Sequence, residues 1–214
     1  MTDYIVVGAG SAGCVVASRL SENPLASVVL LEAGGRDTSP FIHMPAGYFR
    51  LMQTLQVDWG YKTEPHPHMN DRVSIFPRGK VLGGSSAVNG MLFSRGNRND
   101  FDNWAQMGNR GWSHDDVLPY FKKAEGWIEG ESEYHGAGGP WLTSHMNTLN
   151  PLSKAWLEAG LQAGYPRNED FNGVTQEGFG RLDVNIGNGR RSSSASTYLA
   201  DAGKRRNLRI VTGA

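Results

Sequence analysis

The spacing of apolar residues changes twice within the first 32 positions, and each change predicts a different element. Residues 4–7 form an uninterrupted run of β-branched and aromatic side chains, which is typical of a strand. Apolar residues then recur at the spacing of one helix face: Ala12, Val15, Val16 and Leu20. A second apolar run at 28–31 ends in the acidic residue Glu32. The pattern therefore predicts a strand, an amphipathic helix and a second, parallel strand.

Three glycines join the first strand to the helix, and each has a mechanical purpose in a dinucleotide-binding turn. Gly8 permits the tight turn, Gly10 lets a pyrophosphate approach the backbone, and Gly13 lets the helix pack closely on the strand. The first helical residues, Ser11 and Ala12, offer N–H groups at the positive end of the helix dipole. The turn therefore predicts a site for the diphosphate of a dinucleotide.

Glu32 lies where its carboxylate can accept hydrogen bonds from both hydroxyls of a ribose, with Ala33 directly after it. A negative charge there would repel the 2′-phosphate of NADP. NAD and FAD share the ADP half, so this unit alone leaves both open.

Later patterns predict further elements. They are a helical, aromatic stretch at 101–127 with Ser113 as an N-cap, a helix at 153–163 ended by Gly164, a strand at 178–186 followed by a turn at 187–189, a short helix after the serines at 192–196, and a strand at 208–211. The strand at 208–211 lies close to the end of the sequence, which favours a parallel sheet that needs further strands. The alternative is an edge strand that ends the domain.

Composition narrows the functional classes. The 214 residues carry 21 basic and 21 acidic side chains, so no basic surface for nucleic acid is expected. The single cysteine, Cys14, lies in the first helix and is expected to be a small buried residue without a disulfide partner. No apolar run approaches the roughly 20 residues of a membrane span. We expect a soluble, cytoplasmic protein without a transmembrane segment.

A second glycine cluster follows a basic loop that contains Arg78. Gly83 and Gly84 allow close approach of a ligand, and Ser85 and Ser86 can cap a helix beginning at 87–93. A ligand that needs two backbone cradles is more plausibly FAD than NAD.

These two glycine motifs together resemble the glucose–methanol–choline flavoprotein oxidoreductases. The resemblance continues through Phe93, Gly96 and Asp102 and through the segments 79–89, 134–140, 170–173 and 191–199, so it spans the whole chain. Within the family the chain is most similar to bacterial alcohol and choline dehydrogenase-type members.

The resemblance implies non-covalent FAD, because Val88 stands where some relatives tether the flavin through a histidine. It also implies that Val81 and the segment Asn89, Gly90, Met91 and Leu92 lie against the isoalloxazine and ribityl part. Asn89 is the residue expected to have a polar side-chain role near the flavin, with a plain turn amide as the alternative. The full set of expected cofactor contacts is Gly8, Gly10, Ser11, Ala12, Gly13, Glu32, Ala33, Arg78, Val81, Gly83, Gly84, Ser85, Asn89, Gly90, Met91 and Leu92.

In the resembled family an alcohol gives a hydride to flavin N5, a histidine from the C-terminal half takes the proton, and oxygen or a quinone accepts the electrons. None of the six histidines here falls in such a motif, so the catalytic residues stay unknown. His66 and His68 are expected in a plain loop rather than a metal site, and His135 is expected to be structural.

The expected fold is α/β, with a Rossmann-like FAD-binding domain whose parallel sheet is incomplete, followed by the start of an α+β substrate domain. The expected boundaries are 1–148 for the FAD-binding part, 149–190 for the substrate domain and 191–214 for the return. The leading function is the N-terminal portion of an FAD-dependent alcohol oxidoreductase. The alternatives are a lyase on the same scaffold, resembling fatty-acid photodecarboxylases or hydroxynitrile lyases, and a non-catalytic nucleotide-binding fragment.

Overall fold

The computed structural model describes residues 2–146 and 148–214, which divide into two compact units. Unit 1 contains Met1–Met91 and Asn188–Ala214, and unit 2 contains Leu92–Gly187. In chain order the helices and strands are β1 (Tyr4–Val7), α1 (Ser11–Leu20), β2 (Val28–Glu32), α2 (Pro40–His43), α3 (Tyr48–Thr54), β3 (Leu92–Phe93), α4 (Arg98–Gln106), α5 (His114–Ala124), β4 (Glu125–Trp127), β5 (Trp141–His145), α6 (Pro151–Gln162), β6 (Asp183–Val184), β7 (Ile186–Gly187), β8 (Arg190–Arg191), α7 (Ser194–Ala202) and β9 (Leu208–Thr212).

Unit 1 is built on the parallel sheet that the first apolar runs predict. Its strand order is β1-β2-β9, with Tyr4 opposite Val28 and Val28 opposite Leu208. The middle strand β2 buries alternate side chains, while Ile5 and Val7 of β1 are 64% and 81% exposed. The Rossmann-like α/β expectation is confirmed, and β9 is the third strand of the sheet.

Unit 2 contains a small mixed sheet of order β3-β6-β5-β4. β4 and β5 run parallel, whereas β6 is antiparallel to both β3 and β5. Ser113, the predicted N-cap, accepts from the N–H of Asp116 at the start of α5. Asn150 accepts from the N–H of Ser153 at the start of α6. Gly164, with φ +91°, follows the end of α6.

Three local predictions are wrong. The helix expected at 87–93 is replaced by a 3₁₀ turn at Gly84–Ala87 and by the strand β3, because Met91 takes a positive φ of +62° that a helix does not allow. The helical stretch 101–127 is interrupted at Gly108 and Gly111, both with positive φ, and it ends in strand β4. The long strand at 178–186 is reduced to β6 and the beginning of β7.

The compact units divide at 91/92 and 187/188, and the expected division into an FAD-binding part and a substrate domain stays a prediction. The segment 92–148 belongs with the following helix and strands, because β3 and β5 both pair with β6. The assignment of either unit to substrate binding stays a prediction.

The interior of unit 2 contains charged side chains that bond to one another. Glu125 is 1% exposed, and its carboxylate accepts from Nη2 of Arg95 at 2.6 Å and from the hydroxyl of Thr143 at 2.9 Å. Nδ1 of His135 lies 3.0 Å from both oxygens of the same carboxylate, and Nε2 lies 3.1 Å from Asp170. The expectation that His135 is structural fits these contacts.

His135 is held in its charged form by this network. Burial by itself lowers the pKa of the imidazole, but the Asp170 and Glu125 carboxylates outweigh it and raise the pKa to about 9. The ring also stacks on Trp127, with ring centroids 4.5 Å apart. Because the pKa of an unfolded histidine is near 6.5, protonated His135 stabilises the folded state below that pH.

We expect this contribution, on the order of 2–3 kcal/mol, to be fully present below pH ~6.5 and to be lost as the pH rises through about 9. Urea unfolding of wild type and His135→Gln, measured between pH 6 and 10, tests this. The difference between the two proteins should be largest at pH 6 and should fall to a pH-independent remainder above pH 9, because neutral His135 still stacks on Trp127. The exposed His68→Gln variant is the control and should follow wild type. A difference that does not depend on pH would contradict the prediction.

Candidate cofactor-binding site

A cavity of about 760 Å³ lies in unit 1 at the carboxyl ends of β1 and β2. It is lined by Val7, Gly8, Gly10, Ser11, Leu31, Glu32, Ala33, Trp59, Tyr61, Arg78, Gly79, Gly84, Ser85 and Ala214. The carboxyl end of a parallel sheet is where open α/β folds bind ligands. Residues of both glycine clusters therefore share one cavity.

The first glycine turn has the geometry that its sequence predicts. Gly8 takes a positive φ of +89°, which L residues rarely adopt. A Cβ at Gly13 would lie 1.9 Å from the carbonyl oxygen of Gly8, so only glycine lets α1 approach the turn. A Cβ at Gly10 would meet nothing within 4 Å, and Gly10 faces the cavity. Glycine at position 10 is thus not required by packing, and the open space is available to a ligand.

The second glycine turn packs directly on the first. A Cβ at Gly84 would lie 2.7 Å from Cα of Gly10, and the N–H of Gly83 donates to the carbonyl of Ala9 at 2.8 Å. The Ser194 hydroxyl lies against both turns, 3.3 Å from the Gly83 carbonyl and 3.5 Å from that of Gly10. The two turns form one continuous backbone wall.

The N-terminus of α1 opens onto this wall. Its N-cap is Gly10, and within the described part of the chain no side chain caps it and no acidic residue lies in its first turn. The cavity-lining Ser11 is exposed, as is Ala12. The N–H groups at this end, together with the helix dipole, suit an anionic group.

Glu32 lies at the end of β2 and is 6% exposed. One carboxylate oxygen accepts from the N–H of Ala9 at 2.8 Å, and the other accepts from the N–H of Gly34 at 2.8 Å. The carboxylate therefore holds the first glycine turn against the end of β2. Each oxygen keeps a further lone pair for a hydroxyl donor in the cavity.

Eight of the expected contact residues line the cavity: Gly8, Gly10, Ser11, Glu32, Ala33, Arg78, Gly84 and Ser85. The other eight lie outside its lining. Ala12 is exposed on α1, and Gly13 packs on Gly8. Three residues are buried: Val81, Gly83 and Met91. Asn89 and Gly90 are exposed beyond the 3₁₀ turn, and Leu92 begins unit 2.

The amide oxygen of Asn89 accepts hydrogen bonds within a turn and from a distant arginine, and its expected role near the flavin stays a prediction. Its Oδ1 accepts from the N–H of Met91 at 3.1 Å and from Nη1 of Arg191 at 2.7 Å. Arg191 is 2% exposed. The sequence analysis missed this arginine. Its position before a run of serines does not indicate that it is buried, nor that it contacts a turn about a hundred positions earlier in the chain.

Trp59 and Tyr61 are cavity residues that the sequence analysis also missed. Their rings stack at 5.9 Å with an angle of 3° between planes, and Nζ of Lys80 lies 4.6 Å above the Trp59 ring. Asp58 holds this loop by accepting from the N–H groups of Gly60 and Arg78. The alternation at 59 and 61 places both rings on one face of an extended segment and could have indicated the pair.

Unit 2 contains a cluster with potential metal ligands. One ligand atom from each of His135, Asp170 and Asp183 lies within 4.8 Å of the others. Protein donors already occupy both aspartates, since Asp183 accepts from Asn172 at 3.0 Å and lies 2.8 Å from Nδ1 of His145. Two cationic side chains, Arg95 and His135, compensate the charge, which disfavours a metal ion there.

Among residues 2–146 and 148–214, no helix combines the length and the apolar character that crossing a bilayer requires.

Comparison with known proteins places this geometry in a family. The family model for GMC oxidoreductases matches residues 2–214. The chain is 49% identical over 213 residues to the oxygen-dependent choline dehydrogenase of Vibrio vulnificus, covering 99% of this chain and 38% of that protein. The chain thus spans less than two fifths of the length of the curated relatives it matches.

Solved structures agree with the sequence comparison. Pyridoxine 4-oxidase from Mesorbium loti superposes with a TM-score of 0.94 at 38% identity, covering 100% of this chain and 42% of that one. An FAD-dependent oxidoreductase from Chaetomium thermophilum superposes with a TM-score of 0.89 at 28% identity, covering 99% and 38%. The chain belongs to the GMC oxidoreductase family.

Proposed function

We propose that residues 1–214 form the FAD-binding part of a flavin-dependent oxidoreductase that acts on the CH–OH group of a small alcohol. The observation that carries this proposal is the continuous wall formed by two glycine turns, with the uncapped N-terminus of α1 and the carboxylate of Glu32 at the same cavity. Family membership supports the flavin, and the similarity to a choline dehydrogenase and a pyridoxine oxidase supports an alcohol substrate.

Different cavity residues would bind different parts of the cofactor. The N–H groups at Ser11 and Ala12 would hold the pyrophosphate, and Glu32 would accept from the ribose hydroxyls of the adenosine. Gly84 and Ser85 would hold the next part of the molecule through backbone groups and a hydroxyl. The fit is supported by Gly10, where a Cβ would occupy space that packing leaves open.

The proposed FAD is non-covalent. Position 88, where some relatives carry a tethering histidine, is a valine that is 7% exposed and packs in the apolar cluster of Ile42, Val81 and Ala87. A valine side chain has no nucleophilic atom, so no covalent bond to the flavin can form there.

When bound, FAD supplies the hydride acceptor for oxidation of the alcohol carbon. This chain's residues bind and orient the cofactor. No histidine is among the described residues that line the cavity, so the catalytic base is not assigned to this stretch.

The name of the Vibrio vulnificus relative favours oxygen as electron acceptor and choline-like alcohols as substrates, with a quinone as the alternative acceptor. The cytoplasmic location expected from the sequence stays a prediction.

Substituting Gly10 tests the cofactor. We expect the protein to retain FAD but not NAD through gel filtration, and denaturation should release free flavin. Gly10→Val should abolish flavin retention, because its side chain would fill the space of the pyrophosphate while leaving the fold intact. Gly138→Val is the matched control, since a Cβ there also meets nothing within 4 Å and Gly138 lies in unit 2. Tight NAD binding to a colourless protein would contradict the proposal.

Glu32→Ala should weaken FAD binding less than Gly10→Val does. Hydrogen bonds to a charged acceptor contribute about 1.5–3 kcal/mol each, so we expect the affinity to fall roughly 10- to 150-fold. The same variant leaves the N–H groups of Ala9 and Gly34 without their acceptor and should also lower the free energy of unfolding. Fluorescence titration with FAD and urea unfolding measure the two effects. Unchanged affinity would remove Glu32 from the site.

Residues 1–214 by themselves should bind FAD without oxidising alcohols, because the described cavity lining provides no histidine to take the hydroxyl proton. The test is to add excess FAD, a dye acceptor and a panel of primary alcohols that includes choline. Turnover above a boiled control would show that the essential base lies within these residues.

A further inference from the structure

The buried guanidinium of Arg191 in unit 1 has no ion-pair partner among the described residues. The guanidinium of Arg191 is 2% exposed, and all of its hydrogen bonds go to neutral oxygens. Nε donates to the carbonyl of Ile42 at 2.8 Å, and Nη1 donates to the carbonyls of Ser86 and Asn89 at 3.3 and 2.7 Å and to Oδ1 of Asn89 at 2.7 Å. Nη2 has no hydrogen-bond partner among the described residues.

The surroundings of Arg191 make this arrangement costly. Ile42, whose carbonyl accepts from Arg191, belongs to the apolar cluster that also contains Val81, Ala87 and Val88. Burial lowers the pKa of Arg191 to about 10, and no carboxylate in the described chain forms an ion pair with it. An unpaired buried charge normally destabilises a protein strongly. Capping three carbonyls offsets part of that cost, but a neutral donor could do the same.

The position of Arg191 relates this charge to the cavity. The Ser86 and Asn89 carbonyls belong to the 3₁₀ turn Gly84–Ala87 and its continuation, and the same turn lines the cavity through Gly84 and Ser85. Arg191 therefore contacts the chain next to the proposed flavin-binding wall. In an apolar environment the electric field of the guanidinium is only weakly screened.

We propose that Arg191 is an electrostatic positioning residue that raises the electron affinity of the bound flavin. The inference rests on the proposed FAD binding. The oxidised ring is neutral, and it gains one negative charge when it takes up a hydride; a fixed positive charge nearby favours that change. Charge near the ring nitrogens is one of the means by which proteins tune flavins.

Sulfite measures this effect without any turnover. Its sulfur lone pair forms a bond to N5 of the oxidised ring, and the ring takes up the negative charge. The flavin-loaded wild type should bind sulfite about tenfold more tightly than Arg191→Met, because the variant lacks the positive charge that favours the anionic ring. The two-electron reduction potential, measured by equilibration with a reference dye, should become more negative in the same variant. Arg191→Lys, which keeps a charge, should stay closer to wild type in both measurements.

Arg205→Met is the matched control. This arginine of unit 1 also donates only to neutral oxygens in its side-chain hydrogen bonds, but these are the carbonyl of Ser18 and the hydroxyl of Ser21 at the C-terminal end of α1, whereas Arg191 contacts the segment 84–89. Its loss should leave sulfite affinity and potential unchanged. Should Arg191→Met lose its flavin, Arg191→Gln replaces it, since glutamine removes the charge but keeps donors for the carbonyls.

Two results overturn the proposal. Equal sulfite affinity in wild type and the neutral variant shows that the charge does not act on the flavin. Equal losses in the neutral variant and in Arg191→Lys show that Arg191 acts through geometry alone. If wild type retains no FAD, the proposed function fails and this inference fails with it, whatever the Arg191 variants show.

Discussion

The site depends on one close contact between two stretches of backbone. The turn after β1 and the turn before Ser85 approach so closely that a methyl group at Gly84 would lie 2.7 Å from Cα of Gly10. No other residue allows this approach, because any Cβ at position 84 would push the two turns apart. The contact places the N-terminus of α1 and the second glycine segment on one cavity wall. The rest of the proposed cofactor site depends on that wall.

Glu32 couples the fold to the function at this wall. Its two oxygens accept from the N–H groups of Ala9 and Gly34, so a single carboxylate fixes the glycine turn on one side and the end of β2 on the other. The same carboxylate lines the cavity. Glu32 therefore stabilises the fold in the absence of a ligand. The two N–H groups also fix the orientation of its carboxylate before a ribose binds.

The two units differ in what fills their interiors. Unit 1 buries aliphatic side chains such as Leu30 and Val81, with Glu32 and Arg191 as charged exceptions that have no ion-pair partner among the described residues. Unit 2 instead buries Glu125 and His135 in a network of opposite charges. In this network Glu125 and His135 are paired with opposite charges, which explains why the pKa of His135 rises although burial opposes its charged form. In unit 1 the missing partner is what makes Arg191 informative.

The sequence by itself determined the local elements and the family. The strand at 4–7, the glycine turn and the helix after it follow from hydrophobic spacing and from the steric freedom of glycine, both of which act between near neighbours. Only the tertiary structure decided the rest. The helix expected at 87–93 fails because Met91 has a positive φ, and Asn89 turns its amide to the distant Arg191. Such contacts join residues a hundred positions apart, and one sequence carries no periodic signal for them.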